Sequence, residues 1–333
     1  MAERVVPVQQ VLNRSEAQMN GLIGRAPIKV GSKIIEIDFT KDFPLTDGWS
    51  VFKGEVIKLR RKRGNFSGRD GTEAGVGDGR NLLYAGVTRE TLERGIHVTG
   101  VDIDPWRAVL AYQNLLSAGV PDNQLSIMVG GVVNELVARD PDTLYQGWNF
   151  ACLPQAPGAE TISTADGIDA TRDTLDGGRD LALGPLSVDQ YGLSLNAAYL
   201  EALRNRVTEV GTDVQVTLSG RVPTLVRNRL FRQTGWQIKE IFRTRLPVRQ
   251  DVDTGVAFVG QFAAELDSQR GEGFFESPDG EHFFPLDPYI AEERRQIAEN
   301  HGTLPDVHHH VYEYLAVPAT ESTTREPIIV YEI

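Results

Sequence analysis

Through the middle of the chain, short apolar runs alternate with longer amphipathic ones. The runs "HVTGVD" (97–102), "QLSIMVGG" (124–131), "GWNFACLP" (147–154) and "TDVQVTLSG" (212–220) read as buried strands. Between them, "PWRAVLAYQNLLSAG" (105–119) has apolar residues at helical spacing, proline in its first turn and glycine after its end. "NELVAR" (134–139), "DQYGLSLNAAYLEALRNRV" (189–207) and "TLVRNRLFRQTG" (224–235) carry the same helical period. The alternation then stops. "WQIKEIFRTRLPV" (236–248) and "GVAFVGQFAAEL" (255–266) read as two successive strands of a terminal hairpin.

Strands that alternate with helices imply a parallel sheet, because each crossover must cover a sheet face. The pattern therefore predicts an α/β fold with a doubly wound sheet over residues 51–266. Residues 1–50 form an N-terminal extension, with a lid as one use for it. Residues 267–333 form a β-rich addition packed on the core.

Composition narrows the class. At 41% hydrophobic residues the chain can fill a core, and no apolar run approaches membrane-spanning length. "MAERVVPVQQVLNRSEAQMNG" lacks a signal-peptide core. Cys152 is the single cysteine, so an intrachain disulfide is excluded and a reducing cytoplasm is expected. A net charge of -12 argues against a nucleic-acid partner. The basic run "KLRRKRG" (Lys58–Gly64) is expected to be a solvated helix face, and "HHH" (His308–His310) part of a strand or loop. No membrane partner and no metal are expected, and a homo-oligomer is compatible with the chain.

The chemistry concentrates in "TEAGVGDGRNLL" (72–83). It places Glu73, Gly75, Gly77 and Gly79 at a strand-to-helix turn. Asp102 ends the next strand, where a carboxylate can accept both hydroxyls of a ribose. Such a pair suits either a dinucleotide or S-adenosyl-L-methionine. The dinucleotide fingerprint is G-x-G-x-x-G, with its third glycine packing helix against strand. Here the pattern is E-x-G-x-G-x-G, which resembles motif I of class I methyltransferases.

That resemblance implies S-adenosyl-L-methionine as cofactor, on a mostly parallel, seven-stranded Rossmann-like sheet whose last strand enters antiparallel. Glu73 would face the methionine end of the cofactor, Asp102 its ribose and Ile103 its adenine. Many such enzymes also carry an acid after the third strand to meet the adenine amine. Gly131 and Val132 stand there instead.

Further segments are similar, in order, to one branch of that class. "ACLPQAP" (151–157) looks like the Cys-Ile-Pro-Gln segment of the methyltransferase domain of plant methionine S-methyltransferases and their bacterial relatives. "VDQYGLSLNAAYLEA" (188–202), "SGRVPTLVRNRLFRQTGWQIKEIFRTRL" (219–246) and "DVDTGVAFV" (251–259) continue the likeness, and "GEGFFESPDGEHFF" (271–284) more loosely. The resemblance implies methyl transfer to the thioether of L-methionine, giving S-methylmethionine, and in bacterial relatives a step toward dimethylsulfoniopropionate.

A thioether carries no proton, so the reaction needs alignment and no general base. Leu153 would border the cofactor, with Pro154 and Gln155 on the acceptor side. Arg221 is the candidate for the substrate carboxylate, which favours a planar fork of donors. Gln190 and Tyr191 begin a helix at the same sheet edge. Asp253 is a candidate for the substrate ammonium, as is Asp189, which serves equally as a helix cap. Trp106 is expected to cover the cofactor ring or the sheet. A methyltransferase acting on an amine, amide or protein, and a non-catalytic cofactor binder, remain the alternatives.

Overall fold

The computed structural model of the chain describes residues 6–10, 23–30, 32–40, 47–63, 71–85, 87, 97–132, 148–151, 161–163, 169–171, 193–206, 212–219, 224–247, 274–276, 283–285, 308–320 and 327–333. Five α-helices appear among them: α1 (Asp47–Lys62), α2 (Arg80–Tyr84), α3 (Pro105–Ser117), α4 (Ser194–Arg206) and α5 (Thr224–Gln233). The N-terminal strands are β1 (Val6–Pro7), β2 (Ile23–Val30) and β3 (Lys33–Thr40). The sheet is then built by β4 (Gly71–Ala74), β5 (Val98–Asp102), β6 (Leu125–Val129) and β7 (Trp148–Ala151). After a small hairpin, β8 (Thr161–Ser163) with β9 (Asp169–Thr171), come β10 (Asp213–Ser219) and β11 (Trp236–Pro247). The last are β12 (Phe274–Glu276), β13 (Phe283–Pro285), β14 (His308–Pro318) and β15 (Ile329–Glu332).

The main sheet runs β1-β6-β5-β4-β7-β10-β14-β11-β15. Its centre, β6-β5-β4-β7-β10, is parallel throughout. The chain runs outward from β4 through β5 to β6, then returns to β7 and β10 on the other side. The reversal falls between β4 and β7, and in such sheets ligands bind beyond the carboxyl ends of the strands at that point. This is the doubly wound arrangement the strand–helix alternation predicts.

The strand count differs. With β12 and β13 joined through β14, the sheet has eleven strands where seven are expected, the extra ones lying at its margins. The antiparallel strand also differs from the expectation. β14 inserts between β10 and β11, antiparallel to both, in a register from Val214↔Ala316 to Ser219↔Val311 and from Trp236↔Pro318 to Pro247↔His308. So the antiparallel partner of β11 comes from the region assigned to a C-terminal addition. Residues 255–266, expected in that role, lie outside the described residues, as does the helical stretch 134–139. His308–His310 form the first three residues of β14. Among the described residues, no cluster of three or more metal-ligating side chains occurs.

α1 explains much of the packing. Phe52 and Val56, with Trp49 and Leu59 beside them, recur at helical spacing and meet Phe242, Val311 and Leu315 of β11 and β14. Arg60, from the basic run expected to be solvated, is fully buried. It donates to Gln215 Oε1 at 2.9 Å and to Asp213 Oδ2 at 2.5 Å, both on β10. The rest of the run fits the expectation better, since Lys62 and Arg63 are exposed.

The described part of the N-terminal segment is structured too. β1 pairs antiparallel with β6, and β2 and β3 form a hairpin with register Ile23↔Thr40 to Val30↔Lys33. Val8, Ile28, Val30 and Ile37 are buried against Ala108, Val109, Ala111 and Leu115 of α3. No helix among the described residues is long and apolar enough to cross a membrane.

Candidate active site

β4 ends at Ala74, at the reversal of strand order, and the glycine loop begins on the next residue. Gly75, Gly77 and Gly79 have φ of 70°, 57° and 81°, a region that side chains with Cβ disfavour. The loop folds back on β5: the N–H groups of Gly75 and Val76 both donate to Val101 O, at 2.9 and 3.0 Å.

The two later glycines do different work. A Cβ on Gly79 would meet the backbone of Ala111 at 3.2 Å, so this glycine lets the loop press against α3. Among the described residues, a Cβ on Gly77 would meet nothing within 4 Å, so this glycine borders open space at the strand ends. Gly79→Ala and Gly77→Ala are each expected to lose about 1–2 kcal/mol of stability from the left-handed backbone, with Gly79→Ala the worse because Ala111 must also shift. Only Gly77→Ala should weaken an adenosyl ligand several-fold beyond its effect on stability. Calorimetric titration beside thermal melts separates the two, and equal ligand losses would contradict the division of labour.

Asp102 closes the loop. Its Oδ2 accepts from the N–H of Gly77 at 2.8 Å, and its Oδ1 from the N–H of Asp104 at 2.9 Å. Its backbone carbonyl accepts from the N–H of Gly130 at 2.8 Å. Burial raises its carboxyl above the usual range, while the two N–H donors oppose that shift. A carboxylate offers about four acceptor positions, so each oxygen retains capacity for a ligand hydroxyl. Ile103 follows, half-buried, at the strand end. Asp104 then caps α3, accepting from the N–H groups of Trp106 and Arg107. Trp106 is therefore fixed in the first turn of α3, half-buried.

Glu73 lies beneath the loop and is completely buried. Its Oε1 accepts from Asn81 Nδ2 at 2.8 Å and lies 3.6 Å from Lys53 Nζ, while its Oε2 has no hydrogen-bond partner among the described residues. Burial raises its carboxyl to about 7, and Lys53 and Asn81 hold it from going higher. Arg80, the first residue of α2, pairs with Asp78 of the loop, both side chains buried.

Three positions escaped the sequence reading. Lys53 is one, and Asn81 is another. The third, Asn114, fastens the N-terminal hairpin to the site. Its Nδ2 donates to Asp38 O at 2.8 Å and to Asp78 O at 2.9 Å, and its Oδ1 accepts from Asp38 N at 3.0 Å. Nothing in the sequence distinguishes this asparagine from a solvated residue of an amphipathic helix.

The structure thus gathers Glu73, Gly75, Gly77, Gly79, Asp102 and Ile103 at the ends of β4 and β5. Gly131 is half-buried and Val132 buried beside Gly130, so no acid stands at that turn. Leu153, Pro154, Gln155, Asp189, Gln190, Tyr191, Arg221 and Asp253 lie outside the described residues. Their flanks are placed: β7 ends at Ala151, paired with Ala74, and β10 ends at Ser219. α4 begins at Ser194, with Leu193 outside it.

No protein-family model matches the chain, and no curated protein matches its sequence. Among solved structures, the chain is similar to a 16S rRNA methyltransferase from T. thermophilus in complex with AdoMet and guanosine. The identity is 14% and the TM-score 0.43, over 65% of this chain and 47% of that one. It therefore spans about half the length of that relative. It is also similar to a SAM-dependent methyltransferase from Geobacter sulfurreducens in complex with S-adenosyl-L-homocysteine, at 14% identity and TM-score 0.37, over 83% of this chain and 92% of that one. A third is a cyclopropane-fatty-acyl-phospholipid synthase-like protein from Lactobacillus casei, at 12% identity and TM-score 0.42, over 82% and 94% of the two chains. The class of the fold rests on its own strand order. That order defines a doubly wound α/β protein, with a glycine loop at its reversal and an acidic end on the neighbouring strand β5.

Proposed function

We propose that the chain is a class I methyltransferase that uses S-adenosyl-L-methionine to methylate the sulfur of L-methionine, yielding S-methylmethionine and S-adenosyl-L-homocysteine. The observation that carries the cofactor half is the turn closed by Asp102. Three glycines with positive φ stand at the reversal of strand order, with open space beside Gly77 and a buried carboxylate bound to the Gly77 N–H. These residues fit an adenosyl group: Asp102 would accept its ribose hydroxyls, and the Gly77 backbone would allow close approach. Bound there, the cofactor would supply an electrophilic methyl group on a sulfonium.

The acceptor half is supported by the order-preserving sequence likeness across residues 151–259. The acceptor sulfur has no proton to lose, so the protein's task is alignment and exclusion of water. Arg221 is proposed to clamp the substrate carboxylate, with Gln155, Gln190, Tyr191 and Asp253 around the amino acid. A pocket built for both charged groups leaves them unpaired when a simpler thioether binds. Methionine should accordingly react much faster than dimethyl sulfide or 3-methylthiopropionate, with mass spectrometry showing the added methyl on sulfur. An inert methionine beside a methylated amine or glutamine peptide would overturn the acceptor and leave the cofactor assignment standing.

A further inference from the structure

Between α1 and the sheet, five ionisable side chains share one buried layer. Lys53 and Arg60 come from α1, Glu73 from β4, Asp213 from β10 and Glu313 from β14, and all five are buried. Arg60 is committed to Asp213 and Gln215. Glu313 accepts from Gln215 Nε2 at 2.6 Å and from Thr217 Oγ1 at 2.5 Å. Burial raises the Glu313 carboxyl, and Lys53 is the strongest influence opposing that rise. Lys53 is therefore shared, 3.6 Å from Glu73 on one side and acting on Glu313 on the other.

Among the described residues of this layer, two cations face three carboxylates. The nearby Asp78 is compensated by Arg80 but still disfavours charge on Glu73. The deficit falls on Glu73, whose Oε2 is buried without a hydrogen-bond partner among the described residues. Such a carboxylate is stabilised either by a proton or by an arriving cation.

We propose that cofactor binding drives a proton off Glu73, the ammonium of the cofactor's amino acid end supplying the missing positive charge, and that Lys53 is the positioning residue that sets the pH range of this exchange. The inference rests on the cofactor reading above. Glu73, raised to about 7 by burial, is largely neutral in the free protein below neutral pH, and there the incoming cation must displace a proton. Affinity should therefore climb with pH, by up to about tenfold per unit below pH 7, and level off above it.

S-adenosyl-L-homocysteine, which keeps that ammonium and does not react, is the probe. Calorimetric titration at about pH 6, 7 and 8, in buffers of different ionisation enthalpy, counts the protons exchanged. The full chain should release about half a proton at pH 7, more at pH 6 and little at pH 8. Glu73→Gln should abolish the release. Lys53→Met, which removes the cation opposing protonation, should move the release to higher pH and make it visible at pH 8. Binding with no proton exchange in the unaltered protein, or release that survives Glu73→Gln, overturns the proposal even if Lys53→Met does not fold. Absence of any binding overturns the cofactor reading instead.

Discussion

Replacing Arg60 by alanine is expected to destabilise the protein by about 3–5 kcal/mol. The guanidinium lies fully buried, 2.5 Å from Asp213 Oδ2 and 2.9 Å from Gln215 Oε1. Removing it strands a carboxylate in a layer that already holds Glu73 and Glu313. A buried pair adds little net stability when intact, but breaking one side is costly because the remaining charge loses its partner. Urea denaturation, with unchanged dependence on urea as the sign of an intact unfolding transition, measures the loss. The double replacement Arg60→Met with Asp213→Leu should recover a large part of it. A loss below about 1 kcal/mol, the range of surface ion pairs, would mean that solvent reaches this layer.

Asp102→Ala carries the second large effect. Asp102 accepts two backbone N–H bonds and is proposed to receive the ribose hydroxyls as well. Charge-assisted hydrogen bonds contribute roughly 1.5–3 kcal/mol each, so affinity for S-adenosyl-L-homocysteine should fall at least about tenfold, and nearer a hundredfold if both hydroxyls bind. The Gly77 N–H also loses its acceptor, so the loop itself should loosen. Titration of the folded variant decides the matter. Unchanged affinity would place the ribose elsewhere.

The sheet was legible wherever its segments follow one another in space as they do in sequence. Strands β5, β6, β7 and β10 and helices α3 and α5 follow from apolar runs and helical spacing, with boundaries shifted by a few residues at most. Asp102 and the three glycines were legible because a turn with positive φ permits few residue types. The partner of β11 was not. Neighbouring strands usually pair, but here residues 308–318 fill the place between β10 and β11, and alternation cannot reveal which distant strand does so. Arg60 was misread because a basic run says nothing about which of its members faces Asp213. The hairpin of β2 and β3 did leave a sign, alternating runs on either side of Gly31-Ser32, within a segment treated as one extension.

The position of β14 has a consequence for a chain emerging from the ribosome. When residues through Pro247 have been made, the helices and strands on the β4 side can already assemble, but β10 and β11 have no strand to join them. Another sixty residues must emerge before His308 arrives. In that interval the edge of β10, with Val214, Val216 and Leu218 apolar in alternation, offers unpaired N–H and C=O groups to any passing strand. Yield from the cell should thus depend on how fast the last part of the message is read. Slow codons between positions 248 and 307 should increase the aggregated fraction without altering a single residue of the finished protein.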